Sequence, residues 1–189
     1  ISTKFSDANI EIGSIASLKG NLLTLDDQER NEGKQALAHG LEIAGIMGVG
    51  AILVHPGQLT VDGTYQAVWD NLVTDIKDLV DLAKRKQVAI SLENVWNKFL
   101  LSPKEMREII DEIDSEWVGA YLDTANMMAY GYPEQWIREL GARIKRVHFK
   151  DFNRREHRFV NLLDGDTDWS TVVAELRQAG YDWPVIHEV

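Results

Sequence analysis

The order of apolar and polar positions divides the chain into alternating short and long segments. "IEIGSIAS" (10–17), "AILVH" (51–55), "VAISLENV" (88–95), "VGAYLDTA" (118–125), "IKRVHFKD" (144–151) and "PVIHEV" (184–189) are short and largely apolar, and each predicts a strand. The intervening segments carry the 3.6-residue period of a helix. The clearest spans 64–86, with apolar side chains at 65, 68, 69, 72, 73, 76, 79, 80 and 83. A helix over 26–48 puts Leu37, Leu41 and Ala44 on one face. Ser102-Pro103 opens another, with Glu105 three after the cap and Met106, Ile109, Ile110 and Ile113 facing inward. A short helix runs from Pro133 to Gly141. Asp168 caps a last one, through Val172, Val173 and Leu176 to Gly180.

Strand and helix in alternation imply parallel pairing with right-handed crossovers. Two α/β architectures satisfy that order. A doubly wound open sheet normally carries a glycine-rich phosphate turn, and the chain has neither GxGxxG nor GxxxxGK[ST]. A (β/α)8 TIM barrel instead takes its functional side chains from the C-terminal ends of several strands.

Those ends carry chemistry here. His55, Glu93, Asp123, His148 and Glu188 lie near the ends of five consecutive predicted strands. Side-chain alternation puts Glu93 in phase with Ser91 and Ala89, and Asp123 in phase with Tyr121 and Gly119. His148 is opposite Val147 and Phe149, and Glu188 is opposite His187, which reads as structural. Taken singly, each has a plainer explanation; Asp123 before Thr124 suits a helix cap. Together, three carboxylates converging in a barrel mouth would repel one another in a low dielectric. A divalent cation removes that repulsion, and carboxylate with imidazole suits Mn²⁺, Mg²⁺ or Zn²⁺. Glu93, Asp123, His148 and Glu188 are therefore expected to bind one divalent ion. Trp69 belongs to a helix stripe, whereas Trp96 and Trp169 are candidate walls for a ligand. "LLDGDTDW" (162–169) suits a loop at the mouth or a helix-capping turn equally.

Composition narrows the class. At 189 residues, 44% hydrophobic and 26% charged, the chain suits a single domain over 1–189. No apolar run approaches the roughly 18 residues of a membrane span, and no N-terminal signal pattern is seen, so a cytoplasmic, membrane-free protein is expected. Absence of cysteine excludes disulfides and thiolate metal sites. A net charge of −10 argues against nucleic acid as partner.

"SLENVWNKF", "GAYLDTAN", "RIKRVHFKDFNR" and "HEV" together resemble the sugar phosphate isomerase/epimerase family of xylose-isomerase-like TIM barrels, which includes ketose 3-epimerases and L-ribulose- or L-xylulose-5-phosphate 3-epimerases. The resemblance runs from about residue 10 to the end. It implies a metal-dependent epimerase or isomerase working through a cis-enediolate. Mn²⁺ is the expected ion, with Mg²⁺, Co²⁺ or Zn²⁺ as alternatives. It implies Glu93 and Glu188 as acid/base pair and metal ligands, with Asp123 and His148 completing the ligand set. Arg154 matches a substrate-contacting arginine; His55, Trp96 and Asn126 are the other expected substrate contacts. The expected partner is a small sugar or sugar phosphate, and a homo-oligomer is compatible with it. Alternatives on the same site are a dehydratase, a hydroxypyruvate-isomerase-like enzyme or an endonuclease IV-like phosphodiesterase. "LVHPG" resembles a strand end of the last group, but five histidines are too few for its three-zinc cluster. Two positions depart from the ketose 3-epimerases: Asn126 stands where they carry histidine, and Phe99 where they carry glutamate. By count the chain holds barrel strands three to eight, so it is expected to lack the first two β/α units.

Overall fold

A computed structural model of the chain describes residues 2–17 and 20–188. Val189, the end of the expected last strand, lies outside the described residues. In chain order the elements are α1 Ser2–Asp7, β1 Ile15–Ser17, α2 Asp27–Met47, β2 Ala51–Val54, α3 Tyr65–Lys86, β3 Ala89–Glu93, α4 Pro103–Ile113, β4 Val118–Asp123, α5 Pro133–Leu140, β5 Ile144–Phe149, β6 Asp151–Asn153, β7 Arg158–Val160, α6 Trp169–Gln178 and β8 Val185–His187.

Local chemistry sets the helix ends. Asp26, Thr64, Ser102 and Asp168 each accept a hydrogen bond from the third residue beyond, satisfying an otherwise orphaned N–H. Ser102 and Glu105 complete a reciprocal capping box, with Pro103 in the first turn. Gly48 closes α2 in the left-handed conformation at φ 71°, where it costs little strain.

Six strands form one parallel sheet in the order β1-β2-β3-β4-β5-β8, and neighbouring helices touch one another in chain order. This is a partial (β/α)8 barrel, with β1 and β8 as its edges. Every residue of β2, β3 and β4 is buried. The outward set, including Ile52, Ile90, Leu92, Val118, Leu122 and Val147, meets the apolar faces of α2 to α5 in one continuous core. Each such aliphatic side chain contributes about 1.5–3 kcal/mol of burial. The other set faces the barrel interior. There Tyr121 Oη lies 3.0 Å from Ser14 Oγ, and Arg146 Nε donates to Gly13 O at 2.9 Å. The residues before β1 thus cross the interior below the site.

Two features differ from the sequence reading. The strand expected over 10–17 is confined to Ile15–Ser17, because β1 is an edge paired on one side only. The strand expected over 144–151 divides at Lys150 into β5 and β6, and β6 folds back on β7 as an antiparallel hairpin. Asn153 Oδ1 accepts Glu156 N at 2.8 Å inside the turn. Charged residues at 154–156 and 158 hide the hairpin from a pattern search.

Candidate metal centre at the barrel mouth

Glu93 ends β3, Asp123 ends β4, and His148 is the fifth residue of β5. Glu188 follows β8, and its N–H donates to Phe149 O at 3.1 Å, which continues the ladder by one residue. Parallel register puts Asp123 beside His148. The pleat then turns all four side chains inward. One ligand atom from each of Glu93, Asp123, His148 and Glu188 lies within 4.8 Å of the others. His148 Nδ1 is 3.1 Å from Glu93 Oε1 and 3.4 Å from Glu188 Oε2. Glu93 and Asp123 are buried, whereas His148 and Glu188 are half-buried, so the cluster opens toward the mouth.

Asp123 is the most deeply buried member of the cluster. Its Oδ1 accepts Ala125 N at 2.8 Å and Asn126 N at 2.7 Å. Its Oδ2 is buried with no hydrogen-bond partner. An unsatisfied buried carboxylate oxygen is costly, and it is a lone pair aimed among two more carboxylates and an imidazole. That donor set can hold a divalent cation. Burial, then the Glu188 carboxylate, pushes Asp123 well above the usual carboxylate range. Burial acts on Glu188 in the same direction, but the neighbouring Asp123 carboxyl and the hydrogen-bonded Lys150 ammonium outweigh it and hold Glu188 below its ordinary value.

The structure brings the four expected ligands together and gives the expected substrate contacts other neighbours. His55 Nδ1 accepts Gly57 N at 3.1 Å, shaping the Pro56-Gly57 turn. Asn126 Nδ2 donates to Asn94 O at 2.9 Å. Trp96 is 44% exposed, with Nε1 donating to Asn126 O at 2.6 Å. Its ring lies 5.1 Å from Phe159 and stacks at 5.8 Å on His157, an aromatic wall shared with the hairpin. The Arg154 guanidinium donates to Met128 O at 2.6 Å and Gly131 O at 2.7 Å and stacks on Tyr132. Trp69 bridges α3 to α4 through Glu112, as a helix-stripe residue should. Trp169 donates to Asp151 Oδ2 at 3.1 Å, which makes it part of the scaffold rather than a wall.

Four residues that position the site were not picked out in the sequence. Asn94 staples β3 to β4, accepting Asp123 N at 2.8 Å and donating to Asp123 O at 3.0 Å. Thr124 Oγ1 donates to Lys150 O at 2.8 Å and accepts Lys150 N at 3.1 Å. Lys150 reaches Glu188. Asp151 gathers the 161–169 loop around its carboxylate. The only signal was position: each directly follows a strand-end ligand or, like Lys150 and Asp151, lies two or three residues beyond one.

Fold and site together define a parallel α/β barrel with a carboxylate–histidine mouth. The family model described as xylose isomerase-like TIM barrel matches residues 1–189, and the chain belongs to that family. An L-ribulose-5-phosphate 3-epimerase of Salmonella paratyphi C is 26% identical over 170 residues, 87% of this chain and 58% of that protein. An uncharacterized protein of Methanocaldococcus jannaschii is 27% identical over 145 residues, 69% of this chain and 47% of that protein. The chain thus spans about half the length of these curated relatives. Among solved structures, a D-tagatose 3-epimerase-like protein superposes with TM-score 0.86 at 23% identity, covering 98% of this chain and 73% of that one. An L-ribulose 3-epimerase gives 0.84 at 19%, covering 99% and 64%. No helix among the described residues is long and apolar enough to cross a membrane.

Proposed function

We propose that the chain carries the active site of a metal-dependent sugar or sugar-phosphate epimerase or isomerase. Its four ligands are Glu93, Asp123, His148 and Glu188. The observation that carries the reading is the cluster itself: four ligand atoms within 4.8 Å, with Asp123 Oδ2 buried and unpaired. The Salmonella relative, an L-ribulose-5-phosphate 3-epimerase, supports the substrate class.

When bound, a divalent ion would polarise a substrate carbonyl and stabilise negative charge on the neighbouring oxygens. The protein's own groups do the rest. Glu93 and Glu188 come from opposite parts of the sheet, β3 and the end of β8, and so address two faces of a substrate lying in the mouth. One carboxylate removes the proton on the carbon next to the carbonyl, giving a cis-enediolate. The other returns a proton from the opposite face, which inverts that centre. Return at the adjacent carbon interconverts aldose and ketose. Such acid–base assistance is worth about 10²–10⁴-fold. His148, held by Glu93 and packed at 4.4 Å on Tyr121, keeps a fixed ring orientation. His55, Trp96, Asn126 and Arg154 are proposed to meet the substrate around this centre.

The test is deuterium wash-in from D₂O across a panel of ketoses and ketose phosphates, using Mn²⁺-loaded full-length protein. Incorporation at the carbon next to the carbonyl is expected for at least one. No incorporation with any of them, at one bound metal per chain, would overturn the reading. Three metals per chain would favour the phosphodiesterase alternative.

A further inference from the structure

One cation at the mouth has no part in the scheme above. Lys150 Nζ lies 3.1 Å from Glu188 Oε2 and 4.0 Å from Asp123 Oδ2, so it touches one ligand carboxylate and neighbours a second. From its other side the ammonium sits 4.2 Å above the Phe159 ring. Only 12% of the side chain is exposed.

Its place is built, not incidental. Thr124, itself fully buried, clamps both the N–H and the carbonyl of Lys150 through one hydroxyl. The Phe149 carbonyl is taken by Glu188 N, and Thr124 N takes the His148 carbonyl. The backbone carrying Lys150 is thereby fixed to the same two strand ends that present Asp123 and Glu188. A hydrogen-bonded ammonium beside a half-buried carboxylate does two things. It orients the carboxylate, because a charge-assisted bond is short and directional. It also cancels part of the negative charge that a divalent ion would otherwise find.

We propose that Lys150 is a positioning residue, a tethered counter-cation that holds the Glu188 carboxylate at the cluster and weakens the cluster's affinity for a divalent ion. The inference rests on the metal-site reading above. The cation trades binding strength for geometry: Glu188 stays aligned for proton transfer, and the ion is held less tightly than three carboxylates and an imidazole alone would hold it.

Calorimetric titration of EDTA-stripped full-length protein with Mn²⁺ tests it, alongside the exchange assay. Lys150→Met keeps the alkyl stem over Phe159 and removes the charge. It should bind Mn²⁺ at least about fivefold more tightly, and at saturating Mn²⁺ lose about tenfold in exchange rate with KM unchanged. Lys150→Arg should remain within about threefold of wild type in both. Lys150→Gln provides the same comparison should the Met variant fold poorly. Unaltered or weaker Mn²⁺ binding in the uncharged variants would overturn the proposal. So would raised KM with unaltered metal affinity, which would make Lys150 a substrate grip. Failure of the wild-type protein to bind Mn²⁺ at all would overturn the metal site itself, and this inference with it.

Discussion

Asp151→Asn changes one atom of the scaffold and should have a large effect. Asp151 is fully buried and its carboxylate serves six donors. Oδ1 accepts Phe152 N at 2.8 Å, Thr167 Oγ1 at 2.7 Å and Thr167 N at 3.3 Å. Oδ2 accepts Leu163 N at 3.0 Å, Trp169 Nε1 at 3.1 Å and Gly165 N at 3.2 Å. An amide keeps one acceptor oxygen and turns an NH₂ toward the other three donors. Losing three bonds to a charged acceptor, at about 1.5 kcal/mol each before relaxation, costs about 4 kcal/mol. In a domain of this size that lowers Tm by about 10 °C. Denaturant unfolding at pH 7 measures it. Burial pushes the Asp151 carboxyl up, but the donors from Thr167, Phe152, Trp169 and Gly165 outweigh it and hold it below its ordinary value. A depressed folded pKa gives stability that is present above the unfolded value, about 3.9, and is lost as pH falls through the folded one. The gap between wild type and Asp151→Asn should therefore be flat from pH 8 to about 4 and shrink below that. A gap under about 1 kcal/mol at pH 7, or one that widens in acid, would refute the reasoning.

Glu93→Gln and Glu188→Gln should each abolish exchange at the substrate carbon, by about 10³-fold or more, with unchanged circular dichroism; near wild-type exchange in either removes that residue from the acid/base pair. Asp123→Asn should cut Mn²⁺ affinity at least about 100-fold and raise stability of the metal-free protein by about 1 kcal/mol, since it removes a buried carboxylate with an unpaired oxygen; melting curves in EDTA check the sign. Arg154→Ala should lower kcat/KM about tenfold through KM with metal content unchanged, and lose about 1–2 kcal/mol of stability because Met128 O and Gly131 O lose their donor. A stability loss with unaltered kinetics would assign Arg154 to the scaffold alone.

The cluster was legible for a geometric reason. In a parallel barrel each strand delivers its C-terminal residue to one ring, so residue type at strand ends and a period of two are enough to gather Glu93, Asp123, His148 and Glu188. The helices were legible too, because Ser102 and Asp168 announce themselves as caps and the 64–86 segment carries a long apolar stripe. The supporting layer was not. Asn94 and Thr124 act across strands on backbone atoms 29 and 26 residues away, and nothing in a linear pattern pairs them. The β6–β7 hairpin was missed because its two strands are three residues each and charged at the turn. The resemblance implied a substrate contact for Arg154. The structure shows its guanidinium bracing the turn at 128–131.

The two departures from the ketose 3-epimerase pattern acquire a physical meaning in the fold. Phe99 is 1% exposed and sits in the core, 4.7 Å from Tyr65 and 6.2 Å from Trp69. A glutamate could not be placed there without burying a charge among aromatic rings, so the loop after β3 has been turned into packing. Asn126 donates its side-chain amide to Asn94 O and accepts Trp96 Nε1 at its backbone carbonyl, and thereby braces the ends of β3 and β4. At position 99 no polar group is left to face the mouth. On the other side, Asn153, Asn161, Arg158 and Lys150 line one cavity together with Glu156 and Asp164, and Arg158 pairs with Glu156. Two amides, with charges of both signs beside them, suit a hydroxyl-bearing ligand better than an apolar one. Substrate discrimination in this chain should therefore follow the hairpin rather than the β3 loop. Exchange of Arg158 and Asn161 for alanine should change the preference between a ketose and its phosphate. Exchange of Phe99 for leucine should change stability and leave that preference where it was.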